Sequence, residues 1–287
     1  MDRRDCVRAL AATGIAALAG QAMAADERLR IGLTPVILAD QVAFLTRWGR
    51  YLSARVGCKV SFIARDSYQV ILDLLFSGQI DAAWICGYPY IRYETDLSLL
   101  AVPLYQGRPT YQAYLIRSRN STVSINGWAD LRGKVLAFSD PLSNSGWLVA
   151  QAQLTKVGLS TRDLKRAFFA HGHRNVAEAV AARLAHAGSI DGYVWDTMRQ
   201  QNMAAVVQTE VVWTSESHGF PPLVTKQGAA HPFLPQLQKS LLAMADDNTG
   251  RDLLRALNLT GFTEGGADLF ESIRRQAQTV PSSGVGV

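Results

Sequence analysis

Apolar and polar positions follow two rhythms along the first hundred residues. LRIGLTP, KVSFIAR and IDAAWICG are short apolar runs bounded by turn residues, which predicts buried strands. VAFLTRWGRYLSARVG and SYQVILDLLFSG are longer, with apolar positions at helical spacing. In the first of these helices Val42, Leu45, Trp48 and Leu52 are expected on the buried face, with Arg47 and Arg50 on the wet side. Strand, helix, strand, helix, strand specifies an α/β lobe with a mainly parallel sheet. A second cycle begins after Tyr111. YQAYLIRS reads as a strand, WADLRGK as a short helix stopped by glycine, and VLAFSD as a buried strand. A helix from Ser145 to about Val157, a strand around Ala167 to Ala170, a helix from Val176 to Ala187 and the strand IDGYVWD complete it. VVQTEVVWTSES then carries the chain back, and PFLPQLQKSLLAMA, GRDLLRALN and ADLFESIRRQAQ close it as helices.

Two α/β lobes joined by two crossings predict a two-lobed, hinged clamshell, each lobe a mainly parallel sheet flanked by helices. The expected division is 25–115 with 213–280 as the first lobe and 116–212 as the second, with 281–287 as a loose tail. Ligands of open α/β sheets bind beyond the carboxyl ends of the strands, which in a clamshell is the cleft.

Composition adds a compartment. Met1 to Ala24 has a basic start, an Ala/Gly/Leu-rich middle and the ending AMA, the pattern of an export signal cleaved near Ala24. Arg3-Arg4 resembles a twin-arginine signal, although Cys6 stands where that pattern prefers a large apolar residue. No later stretch reaches the ~20 apolar residues that span a bilayer, and no cysteine at the cleavage site offers a lipid anchor, so a soluble periplasmic protein is expected. The chain of 287 residues is 48% hydrophobic and 18% charged, an ordinary globular balance. Its formal charge of +5 falls to +4 without the first 24 residues, which carry three arginines and two aspartates. So mild an excess without basic runs favours small anionic ligands and gives no reason to expect nucleic acid. Cys58 and Cys86 are expected as thiols, because a strand order 2-1-3 separates them by the first strand and puts them at opposite ends of the sheet.

The candidate chemistry centres on FSDPLSNSGWLVA, Phe138 to Ala150. Small hydroxyl and amide side chains at a helix start make an ordinary N-cap. The same arrangement suits a tetrahedral oxyanion, because a helix N-terminus presents unpaired N–H groups and about half a positive charge. Ser143 and Ser145 would then donate hydroxyls, Asn144 and Gly146 would offer N–H groups, and Gly146 would let the ligand approach the backbone. His173, in GHRN, offers a hydrogen bond or, when protonated, a charge. Tyr88 and Tyr90 in GYPY fall at a strand's carboxyl end, either as cleft wall or as packing, and Cys86 precedes them. There is no HExxH, GxSxG or Walker pattern, and the five histidines lack metal-ligand spacing, so neither an enzyme nor a metal or cofactor site is expected.

The ordered set SYQVILDLLFSGQIDAAW, PTYQAYLI, DPLSNSGWLV, GHRNVAEAVA and SIDGYVWD closely resembles the periplasmic phosphonate/phosphite-binding proteins of ABC importers, over about Leu29 to Lys226. The resemblance implies cleft roles for Tyr68 and Tyr111. It matches the family's Ser-Thr-Ser-Gly helix start to Ser143, Asn144, Ser145 and Gly146, with Asn144 a departure, and the family histidine to His173. Asp196 matches a polar cleft position, either meeting a protonated oxyacid or merely capping a helix. The implied function is capture of a small phosphorus oxyanion for an ABC permease. The alternative is a sensor subunit signalling occupancy to a membrane histidine kinase, for which the Cys86 thiol would suit an oxyanion such as arsenite. One departure bears on the ligand. Relatives that hold aminoalkylphosphonates carry a Pro-Gly-Asp-Pro type turn where this chain has His218-Gly219-Phe220-Pro221, and Phe220 cannot pair with an ammonium.

Overall fold

The computed structural model describes residues 28–35 and 42–280; the expected export signal with its cleavage near Ala24 and the 281–287 tail lie outside the described residues. The first half runs β1 (Arg28–Leu33), α1 (Val42–Val56), β2 (Lys59–Ala64), α2 (Tyr68–Phe76), β3 (Ala82–Trp84), α3 (Gly87–Arg92), β4 (Leu97–Leu104) and β5 (Thr110–Ser118). It continues through β6 (Val135–Phe138), α4 (Val149–Lys156), β7 (Arg166–Phe169), α5 (His173–Ala181), β8 (Ala187–Asp191), α6 (Gly192–Gln200) and α7 (Ala204–Val207). The chain returns in β9 (Thr209–Gly219) and β10 (Leu223–Lys226), then ends with α8 (Leu234–Leu242), α9 (Asn248–Ala256), β11 (Gly261–Thr263) and α10 (Glu271–Thr279).

Two sheets result, ordered β11-β4-β10-β3-β1-β2 and β7-β6-β8-β5-β9. Each holds a parallel triplet, β2-β1-β3 and β7-β6-β8, extended by antiparallel strands. The sheets are thus mixed rather than mainly parallel, because the strands on either side of each crossing run back against the triplet. β5 and β9 pair along their length within the second sheet. The expected lobe boundaries at 115/116 and 212/213 therefore fall inside strands, and the chain passes between sheets at 105–109 and 220–222. These crossings are tied together, with the Phe220 N–H donating to the Pro109 carbonyl at 2.9 Å.

α1 buries Phe44, Trp48, Tyr51, Leu52 and Val56, whereas Val42 is 79% exposed. Trp48 sets this rotation: it stacks on Phe62 of β2 at 4.5 Å and meets Trp84 of β3 edge-on at 6.1 Å. The stretch IDGYVWD is not one strand. β8 stops at Asp191, whose carboxylate accepts the Val194 N–H at 3.3 Å and caps α6. Tyr193, Val194, Trp195, Thr197 and Met198 are all buried, so α6 is apolar nearly all round and its pattern imitates a core strand. α5 likewise starts earlier than expected, at His173.

The main core fills the first lobe and continues onto the α5–α6 side of the second sheet. A separate cluster around Trp128, Phe138 and Trp147 covers the other side. Cys58 and Cys86 are buried and not joined to each other, as the β2-β1-β3 order requires.

Candidate functional site

The stretch from Phe138 to Trp147 is pinned at both ends by one aromatic contact. Phe138, the last residue of β6, meets Trp147 at 4.9 Å with rings perpendicular, the favoured geometry for such a pair. Between them Asn144–Leu148 forms one π-helical turn that leads into α4. Ser143 is its N-cap, with Oγ accepting the Gly146 N–H at 3.0 Å. Gly146 lies so close to Ser139 that a Cβ would fall 1.8 Å from the Ser139 hydroxyl. Close approach, rather than a left-handed backbone, fixes glycine here.

Around this turn the two lobes meet. Tyr68 and Cys86 come from the first lobe, and Tyr111, Ser143, Asn144, Ser145, His173 and Asp191 from elements of the second sheet; all are buried. The Asn144 N–H donates to Cys86 Sγ at 3.2 Å, its side-chain amide donates to Tyr111 Oη at 3.0 Å, and Tyr68 Oη lies 3.3 Å from His173 Nε2. The tautomer of His173 follows from its other nitrogen. The Asp191 N–H donates to Nδ1 at 3.1 Å, so a neutral ring carries its proton on Nε2, within 3.5 Å of Ser143 Oγ. Burial holds the His173 pKa down at about 3. His173 is therefore a neutral donor, and the option of a charged imidazolium is set aside.

Four buried side-chain atoms at this junction have no hydrogen-bond partner among the described residues: Ser139 Oγ, Asn144 Oδ1, Ser145 Oγ and Asp191 Oδ2. Such atoms are uncommon in folded proteins and call for an explanation. The Ser145 hydroxyl lies near Tyr111 and Asp191, close enough to ease ionisation of each but outside hydrogen-bond geometry to both. Burial pushes Asp191 up to about 8, with the Val194 and Tyr193 N–H groups opposing it. At neutral pH Asp191 accordingly holds a proton, and Oδ2 can donate it. Burial also raises Tyr68 and Tyr111 well above the usual phenol range and Cys86 to about 11, so all three keep their protons. Among the described residues no lysine or arginine is buried. The result is a buried junction of neutral donors, where an anion would be held by hydroxyl, imidazole and backbone N–H groups rather than by a countercharge.

The structure brings together Tyr68, Tyr111, Ser143, Asn144, Ser145, Gly146, His173 and Cys86. It does not bring Asp196 among them. Asp196 lies a turn into α6, accepting the Tyr105 and Tyr114 hydroxyls at 2.9 and 3.0 Å and pairing with Arg199 at 3.0 Å. Both tyrosines line a cavity of about 240 Å³ at the crossings, which reaches the junction only at Tyr111 and Gly192. The early end of β8 is the reason: the acid at the strand's carboxyl end is Asp191. Tyr88 is half-buried on α3 with Arg92 5.7 Å above its ring, and Tyr90 packs on Phe270 at 4.6 Å. Phe220 is wholly buried among Tyr105, Tyr111 and Tyr193, meeting Tyr111 edge-on at 5.9 Å. It backs the Tyr111 phenol, and a carboxylate at 220 would be buried without a counterion.

Two α/β lobes meeting over a buried, donor-rich junction at a helix start define a two-lobed fold with its candidate site between the lobes. Residues 31–270 match the family described as the periplasmic substrate-binding proteins of phosphonate ABC transporters, and the chain belongs to that family. It is 29% identical over 180 residues to the phosphate-import protein PhnD of Mycolicibacterium smegmatis, covering 58% of this chain and 56% of that one. The matched region thus spans little more than half of that curated relative. Among solved structures it is similar to PhnD1 from Prochlorococcus marinus in complex with methylphosphonate, with a TM-score of 0.76 and 17% identity over 88% of this chain and 98% of that one. It is also similar to a binding protein component of an ABC phosphonate transporter from Pseudomonas aeruginosa, with a TM-score of 0.78 and 18% identity over 87% and 85% of the two chains.

Proposed function

We propose that this protein captures a small phosphorus oxyanion of the phosphite or phosphonate type in the periplasm, closes its lobes around it and delivers it to an ABC permease, without chemical change to the ligand. Export through the N-terminal segment, cleavage near Ala24 and the twin-arginine route belong to the same proposal. The observation that carries it is the buried set of Ser145 Oγ, Asn144 Oδ1 and Asp191 Oδ2, left without hydrogen-bond partners among the described residues, beside the donors of Ser143, His173, Tyr68 and Tyr111. A tetrahedral oxyanion supplies several acceptor oxygens, and a P–OH can serve an acceptor such as Asn144 Oδ1. The family match favours import over the sensor alternative. A Cys86 thiol held protonated by burial is a poor ligand for arsenite.

A thermal-shift screen of phosphite, methylphosphonate, 2-aminoethylphosphonate, phosphate, sulfate and arsenite tests the reading, since a ligand of the folded state raises the melting temperature. A shift with arsenite alone would replace it. Among these ligands, phosphite or methylphosphonate is expected to bind more tightly than 2-aminoethylphosphonate. An ammonium brought to the Phe220 turn would meet aromatic rings, whose cation–π attraction of roughly 0.5–2 kcal/mol replaces a charged partner only in part. Parallel titrations check the order, and tighter binding of the amino compound would reverse it.

His173→Ala should weaken binding by about 1.5–3 kcal/mol, the contribution of one hydrogen bond to a charged acceptor. Because the ring stays neutral, the deficit should be the same from pH 5 to pH 8. A deficit that grows toward pH 5 would restore the imidazolium.

A further inference from the structure

The stretch that carries Ser143 to Gly146 also carries Asp140, which the oxyanion reading leaves unused. We propose that Asp140 is a helix cap supplied across the cleft: on closure its carboxylate caps α2 of the first lobe, holds Tyr68 in the site and so governs how long the closed form lasts. The helix needs such a cap. Ser67, at its N-cap position, has the extended backbone of a capping residue (φ −124°, ψ 134°), yet its side chain makes no capping bond. Instead the Tyr68 N–H donates to Asp140 Oδ2 at 3.3 Å, over a sequence separation of 72 residues. The other oxygen, Oδ1, accepts the Leu142 N–H at 2.8 Å, so one carboxylate braces the anion-binding stretch and the facing helix together. Asp140 is only 4% exposed, and its charge lies at the positive end of α2.

The same stretch makes a second crossing bond, from the Asn144 N–H to Cys86 Sγ, the N-cap residue of α3. Residues 140–144 therefore sit between the starts of two first-lobe helices. Opening the cleft breaks both bonds and returns the donors to water. In the closed form, removal of the carboxylate leaves the Tyr68 N–H buried without an acceptor, whereas in the open form water replaces it. The loss therefore falls on the closed state, where it appears as faster dissociation rather than slower encounter. Asp140 acts through Tyr68, whose phenol reaches His173, and is a positioning residue.

The test compares Asp140→Ala and Asp140→Asn with Ser67→Asp on the opposite lobe. The last gives α2 its own carboxylate cap and sets that charge against Asp140, without touching the anion-binding stretch. Stopped-flow binding of phosphite and methylphosphonate, an arm that rests on the proposed function, should show dissociation roughly tenfold faster or more in Asp140→Ala and Ser67→Asp, with association within a few-fold of the unaltered protein. Dissociation within twofold of the unaltered protein in both, or a loss lying wholly in association, overturns the cap. Should Asp140→Ala fail to fold, Asp140→Asn and Ser67→Asp carry the comparison. Hydrogen exchange of the segment 66–72, with and without each oxyanion, needs no binding: faster exchange in Asp140→Ala than in the unaltered protein supports the cap, and unchanged exchange in Asp140→Ala under every condition overturns it. If neither oxyanion binds the unaltered protein, the proposed function falls and this exchange alone decides Asp140.

Discussion

Alanine at both Ser143 and Ser145 is expected to weaken oxyanion binding by about 2–5 kcal/mol, the loss of two charge-assisted hydrogen bonds at ~1.5–3 kcal/mol each less some relaxation. In affinity this is on the order of thirtyfold to several thousandfold. The single variants separate capping from binding. Ser143 Oγ caps the π-helical turn through the Gly146 N–H, so Ser143→Ala should lower both affinity and ligand-free stability, the latter by roughly 0.5–2 kcal/mol. Ser145 Oγ has no partner among the described residues, so Ser145→Ala should lower affinity while leaving the ligand-free melting temperature unchanged or higher. Calorimetric titration beside thermal melts checks both signs. Full affinity in the double variant would make the serines structural.

Asp191→Asn is expected to change how stability depends on pH. Burial lifts the Asp191 pKa from 3.8 to about 8, so the folded protein keeps a proton that the unfolded chain releases between these values. The unfolded state binds fewer protons in that window, and wild-type stability therefore falls as pH rises through it, by on the order of 5 kcal/mol across the whole range. His173 acts in the opposite sense. Its pKa is lowered from 6.5 to about 3, so its contribution is fully present above 6.5 and is lost as pH falls. Below 6.5 the two offset each other. Between pH 6.5 and 8 Asp191 acts alone of the pair, and the ligand-free variant should gain roughly 2 kcal/mol on the wild type over that span. A stability gap that stays constant would mean that the carboxyl is not shielded from water. Binding should follow the same proton. Asp191 and the oxyanion need one between them, so wild-type affinity should decline above about pH 8, and the asparagine variant should lack that decline.

How much was legible in the sequence depends on how each residue is held. The 2-1-3 order of the first three strands and the gathering of Tyr68, Tyr111, Ser143, Ser145 and His173 follow from local patterns and an ordered set of motifs, and the structure places these residues together. The pattern of α6 imitates a core strand because Tyr193, Val194 and Trp195 are buried in succession, which in a helix requires enclosure nearly all round. That imitation moved the acid from Asp191 to Asp196. An Asp-Gly pair directly after a short buried run was the available signal, since Asp is a favoured N-cap. Asp140 left no local signal, because the helix that it caps lies in the other lobe.

The role proposed for the junction of Ser143, Ser145, His173, Tyr68, Tyr111 and Asp191 is to hold a phosphorus oxyanion between closed lobes. Isothermal titration of phosphite and methylphosphonate into the mature protein and its Ser143→Ala/Ser145→Ala variant tests it most directly. Saturable binding of at least one of them is expected at one site per chain, weakened at least about thirtyfold in the variant. Absence of binding by both, or equal binding by protein and variant, would contradict it.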